Sequence, residues 1–146
     1  FKLALAAISL GVAESALDLG VRFAIERKQF GTAIAQKGAL QAYFADATTE
    51  IEALRHLTYY AAWLADQGQP FAAAANRAKL LGARIAKETA NRMLQVHGGY
   101  GFSDEYAISR VYRDSRALRI LGGTDEFVRF LIAQDVLQDA GVAIQP

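Results

Sequence analysis

Residues 39–66 read ALQAYFADATTEIEALRHLTYYAAWLAD, and their spacing decides the fold class. Leu40, Phe44, Ala47, Ile51, Leu54, Thr58 and Ala61 step by four and three, which marks one face of a helix rather than a strand. That seam faces partner helices, with Glu50, Glu52, Arg55 and Asp66 mostly elsewhere. DQGQP at 66–70 then ends the helix, because glycine and proline both disfavour its continuation.

Working outward, residues 2–26 are apolar on most faces: Leu3, Leu5, Ile8, Leu10, Val12, Leu17, Val21 and Ile25. Glu14, Asp18, Arg22 and Glu26 recur every fourth position as one narrow solvated stripe. A helix so apolar around its girth is covered on several sides. Residues 71–97 form a third helix, rich in alanine, with Ala78, Leu81 and Ile85 on one face and small residues that permit close approach. HGGYGFSDE breaks it, a short helix follows around 105–116, and LGGT breaks again before an apolar run from Phe127 to Leu137. Nothing reads as a strand. The expectation is an all-α, antiparallel up-down bundle of four-helix type, with three long helices and one or two shorter ones. The bundle spans 1–138, with 139–146 as a tail.

Composition narrows the function classes. At 146 residues the chain is about one domain, long enough to bury a core. Net charge +1 argues against nucleic-acid binding, which needs a basic face to displace counterions. No stretch approaches the 18 or so uninterrupted apolar residues of a membrane span, so no membrane partner is expected. Zero cysteines exclude disulfides and thiolate metal sites and point to a reducing cytoplasm. His56 and His97 lack ligand spacing, so no metal site is expected. Opening on Phe1 inside a helix, the chain reads as a piece of a longer protein. Its apolar surplus implies burial against other subunits or further domains.

Three glycine-marked junctions are candidates for chemistry: ERKQFG at 26–31, QVHGGYGF at 95–102 and ILGGTDE at 120–126. Each is open to two readings. Glycine past a helix end is ordinary punctuation, and Thr124 caps a helix whose dipole Asp125 and Glu126 complement. Alternatively, helix-start N–H groups and Arg27 form an anion site.

In their order, these motifs resemble the C-terminal helical domain of the acyl-CoA dehydrogenase family. ERKQFG, IEALRHLTYYAAW, QVHGGYGFSDEY, RVYRD and ILGGTDE follow the family sequence over about 1–138. The resemblance implies a share in an FAD site built across a dimer. Arg27 and Phe30 match the family's Arg-x-x-Phe-Gly, whose guanidinium meets the flavin pyrophosphate while the ring lies along the dinucleotide. Gln95, Gly98 and Gly99 match a loop touching the adenosine half of a neighbouring subunit's FAD. Thr124 and Glu126 match the turn whose polar groups also reach the flavin. Gly122 and Gly123 match the turn against the acyl-CoA thioester, the N–H at 122 polarising its carbonyl. The glutamine that the family usually carries after Arg-x-x-Phe-Gly falls at Gly38 here, with Gln36 and Gln41 nearby.

One group is missing. Family members that dehydrogenate acyl-CoA place a glutamate directly before the Gly-Thr of this turn, as the base removing the α proton. That position is Gly122. A minority place it on the first bundle helix, at the position of Phe1. Neither residue accepts a proton, while Asp125 and Glu126 lie beyond the turn and are expected to point along the last helix. The resemblance therefore implies an FAD-dependent oxidoreductase acting on the CH–CH bond of an acyl-CoA, with its base elsewhere. The alternatives are a base-lacking, flavin-supporting subunit of a heteromeric acyl-CoA dehydrogenase, or a non-catalytic helical assembly module. Expected partners are acyl-CoA, like subunits in a homodimer or tetramer, or a related subunit, with electron-transfer flavoprotein as a possible acceptor. This chain alone is expected to be inactive and to hold FAD weakly.

Overall fold

The computed structural model describes residues 1–142; of the expected tail, residues 143–146 lie outside the described residues. Five helices follow one another: α1 (Lys2–Glu26), α2 (Gly38–Asp66), α3 (Ala72–His97), α4 (Ala107–Ala117) and α5 (Asp125–Asp139). The all-α bundle is as the sequence implies. The α2 seam buries Ala47, Ile51, Leu54, Thr58, Ala61 and Leu64, continuing the four-three repeat by one more step. Gly68, at φ +66, ends α2, with its N–H on the Ala65 carbonyl at 3.0 Å.

The alanine-rich α3 is the centre of the bundle, contacting every other helix. Its contact with α1 is tight because small residues interlock with larger ones. The Met93 side chain fills the space that a side chain at Gly20 would need, and Gly82 approaches Ser9 and Leu54. Leu10, Ala13, Ile51, Leu54 and Ile85 join α1, α2 and α3 in one buried cluster. Two polar groups of α1 and α2 are tied across the surface, Arg55 pairing with Glu14 and with its own neighbour Glu52.

Two features depart from expectation. A short antiparallel ribbon, β1 (Lys28–Gln29) against β2 (Thr32–Ala33), stands where no strand was read. Phe30 and Gly31 form its two-residue turn at φ +54 and +81, the sign at both positions that a tight hairpin demands. Two residues per strand are too few for an alternation to show. Secondly, α1 is long and apolar enough, by length and composition, to cross a membrane. Lys2, Glu14 and Asp18 interrupt the run and hide it from a test for continuous apolarity. Here α1 buries Leu5, Ala6, Ser9, Leu10, Ala13, Ala16, Gly20 and Ala24 within the bundle.

Candidate functional site

The three glycine junctions sort into two separate places. At one end, a groove of about 600 Å³ brings together Arg27, Gln95, Gly98 and Gly99. Arg27 directly follows α1, Gln95 sits in the last turn of α3, and Gly98 and Gly99 lead out of that helix. The hairpin base is fixed there because Arg27 N–H donates to the Phe23 carbonyl and Ile34 N–H to the Arg27 carbonyl. The Arg27 guanidinium lies over the Tyr100 ring, 5.1 Å from its centroid, and has no carboxylate partner among the described residues. A guanidinium stacked on one face keeps its planar fork free for an oxyanion.

Gly98 turns the chain out of α3 at φ +59, and neither it nor Gly99 has a heavy atom near where a side chain would sit. That leaves bare backbone at the groove wall. Behind it, the His97 ring stacks on Phe23 at 4.3 Å, with Tyr106 edge-on. His97 Nδ1–H donates to the Met93 carbonyl at 2.7 Å, which leaves Nε2 as the acceptor. Burial pushes the His97 pKa down, against the raising effect of that hydrogen bond. At the hairpin tip Phe30 is 95% exposed and carries positive φ without being glycine.

The second place is the turn between α4 and α5. Gly122 and Gly123 sit at φ +69 and +107. Thr124 caps α5, its hydroxyl accepting from the Phe127 N–H at 3.4 Å. Glu126 projects from the first turn of α5, largely exposed; its own N–H and then the Thr124 hydroxyl hold its carboxyl below the usual glutamate range. Asp125 does not point along the helix. It turns back and is buried, accepting from Arg119 Nε at 2.6 Å.

Gly122 and Phe1, the two positions at which the resemblance looks for a base, converge. A Cβ at Gly122 would overlap the Leu5 methyl and lie 3.2 Å from the Phe1 ring. Both are apolar, and so is Leu5 between them. Gly122, Gly123, Thr124 and Glu126 line no part of the Arg27 groove. Nor do Gln36, Gly38 and Gln41; Gln29 and Lys37 line it instead.

Sequence reasoning passed over Lys79. It is fully buried and donates to the Gly123 carbonyl at 2.7 Å. Its signal was available: Ala75, Lys79, Gly82 and Ala86 share one buried face of α3 by the same four-three step. A lysine on an alanine face needs a buried acceptor.

The comparisons with known proteins agree with this frame. Residues 2–137 match the family model for the acyl-CoA dehydrogenase C-terminal domain. The chain belongs to the acyl-CoA dehydrogenase family. A probable acyl-CoA dehydrogenase of Bacillus subtilis is 39% identical over 137 residues, covering 94% of this chain and 36% of that protein. A subunit of the caffeyl-CoA reductase–Etf complex of Acetobacterium woodii matches with the same identity and coverage. Butyryl-CoA dehydrogenase from Megasphaera elsdenii superposes with a TM-score of 0.91 at 34% identity, over 93% of this chain and 36% of that one. The chain thus spans about a third of the length of the acyl-CoA dehydrogenases it matches.

Proposed function

We propose that this domain serves an FAD-dependent oxidoreductase of acyl-CoA thioesters, contributing two half-sites while its proton acceptor comes from outside these residues. The groove fits a dinucleotide phosphate. Arg27 has no carboxylate partner among the described residues, Gly98 and Gly99 offer bare backbone, and Phe30 presents an exposed ring beside the groove. Arg27 and the end of α3 from Gln95 to Gly99 would hold the pyrophosphate and adenosine side of FAD, with Phe30 along it. The Thr124 side chain and Glu126 would meet an FAD at the other half-site, and the backbone of the Gly122–Gly123–Thr124 turn the acyl thioester. Bound FAD supplies a hydride acceptor for the β carbon of an acyl-CoA.

Separation of the half-sites within one chain supports assembly with a second copy or a related subunit, since the groove and the turn do not share a cavity. The exposed apolar residues Ile8 and Ile25 on α1 and Tyr59, Tyr60 and Trp63 on α2 favour covered faces in the intact protein. An electron-transfer flavoprotein is the acceptor the reading favours, by likeness to the Etf-complex subunit. The isolated chain, with half of each site, should retain FAD poorly, because partial contacts must still offset the entropy of association.

The single observation that carries the base-lacking reading is the convergence of Gly122 and Phe1 on one apolar spot. The nearby carboxylates do not replace the base: Asp125 is engaged by Arg119 beneath the turn, and Glu126 faces solvent. Purified full-length protein should bind FAD and bleach it with acyl-CoA about 10²- to 10⁴-fold more slowly than a family member carrying the glutamate. Adding a related subunit that carries Glu before Gly-Thr should restore the rate. Ordinary turnover by the full-length protein alone would overturn this reading.

A further inference from the structure

Lys79 is the largest of the fully buried side chains, and it is spent on one carbonyl. Its Nζ meets the Gly123 oxygen at 2.7 Å from below the turn. A planar trans peptide holds its C=O and N–H in opposed directions. Drawing the Gly123 carbonyl inward therefore turns the Thr124 N–H outward. Among the described residues, the N–H groups of Gly122, Gly123 and Thr124 meet no acceptor, although Leu121 and Asp125 on either side do. Three successive N–H groups without a protein acceptor, on a turn with positive φ at two glycines, are donors available to a negatively polarised oxygen.

The surroundings hold Lys79 in place. Asp125 Oδ1 lies 3.9 Å from Nζ, while Oδ2 takes Arg119 at 2.6 Å. The Asp125 N–H in turn reaches the Arg119 carbonyl at 3.2 Å. The start of α5, the stretch just after α4 and the first half of α3 are thus joined at the turn. Lys79 and Arg119 face the Asp125 carboxylate there, with Lys2 and Glu126 farther out in the same field. Burial lowers the Lys79 pKa, and the Asp125 carboxylate opposes that.

We propose that Lys79 is a positioning residue for the acyl ligand, holding the Gly123 carbonyl so that the turn presents its N–H groups to the thioester carbonyl oxygen. The proposal rests on the acyl-CoA reading above and assigns a role to a side chain that never touches the ligand. A residue that merely stabilised the fold would affect all ligands of the turn alike. Lys79 acts only on those with an oxygen to receive the N–H groups.

The test compares butyryl-CoA with S-butyl-CoA, a thioether with the same chain and no carbonyl, by calorimetry on the full-length holoprotein. In Lys79→Met the thioester should bind about tenfold more weakly, while the thioether stays within about twofold of wild type. The infrared carbonyl band of bound ¹³C-labelled butyryl-CoA should also move toward its frequency in water. Should Lys79→Met not fold, Lys79→Gln keeps a neutral donor and should show a smaller loss, again confined to the thioester. Equal losses for both ligands, or none for either, overturn the proposal. Wild-type protein that binds neither ligand overturns the acyl-CoA reading, and this proposal with it.

Discussion

The groove at Arg27 and the turn at Gly122 are built by opposite means. At the groove the functional groups are side chains held without ion pairs: Arg27 is half-buried against Tyr100 and has no carboxylate partner among the described residues, while Phe30 stands exposed at the hairpin tip beside the groove and does not line it. At the turn the exposed part is mostly backbone, and the ordering comes from beneath, through Lys79, Asp125 and Arg119. Changes in the groove should therefore alter binding and leave stability nearly untouched. Changes at the turn should alter both. This difference also bears on the missing base: a side chain on a backbone-built turn must displace something, and here it displaces Leu5 and Phe1.

The largest effect is expected at Asp125. Replacing it with alanine leaves Lys79 buried without its carboxylate and frees Arg119, a loss of about 3 kcal/mol by the cost of orphaning a buried charge. Denaturant unfolding of the full-length protein should show a clear fall in midpoint. A variant as stable as wild type would mean that the buried cluster does not order the turn.

Next comes Gly122→Glu, the substitution that restores the family's base. Its backbone sits at φ +69 and its Cβ would overlap Leu5. Left-handed strain and overpacking together should destabilise by about 2 to 3 kcal/mol. Leu5→Ala in the same molecule should recover part of that, and only the double variant should gain anaerobic flavin bleaching. If Gly122→Glu alone is both stable and active, the turn is more pliable than its contacts imply.

A weaker, pH-dependent effect belongs to His97. Its folded pKa is depressed by burial, below the unfolded value of about 6.5. The stability tied to its neutral form is complete above that value. It is lost as pH falls below it, because the unfolded chain takes up the proton first. His97→Phe keeps the stack on Phe23 and should flatten the fall in stability between about pH 7 and 5. Identical slopes in both proteins would show that His97 titrates alike in the folded and unfolded chain.

How much of this was legible in the residues follows from what each feature depends on. The α2 seam was readable because every step of four or three is local and repeated; burial follows it from Ala47 to Ala61, with Leu40 and Phe44 half-buried at its start. Arg27, Gln95 and the glycines were readable because motif order preserves them, and the structure gathers them into one groove. Their roles toward FAD remain a proposal. The hairpin was illegible because two residues per strand carry no period. Lys79 was overlooked because its meaning lies 44 residues away at Gly123. Asp125 was expected along α5 from helix geometry alone. Its reversal needs Arg119, which no local rule brings near.

The smallest effect is expected at Phe30, and it carries the sharpest contrast between the two regions. Its φ of +54 is unfavourable for any side chain except the short polar ones that tolerate left-handed backbone. Asparagine is the common choice at the first central position of such a two-residue hairpin. Phe30→Asn should thus stabilise the fold by about 0.5 kcal/mol, since the ring it removes is 95% exposed and contributes little packing. The same variant should weaken FAD binding by the full-length protein about tenfold, through the lost ring contact. Opposite signs on stability and binding mark a residue kept for its ligand. Loss of stability without loss of FAD would instead make Phe30 a structural residue of a face that another subunit covers.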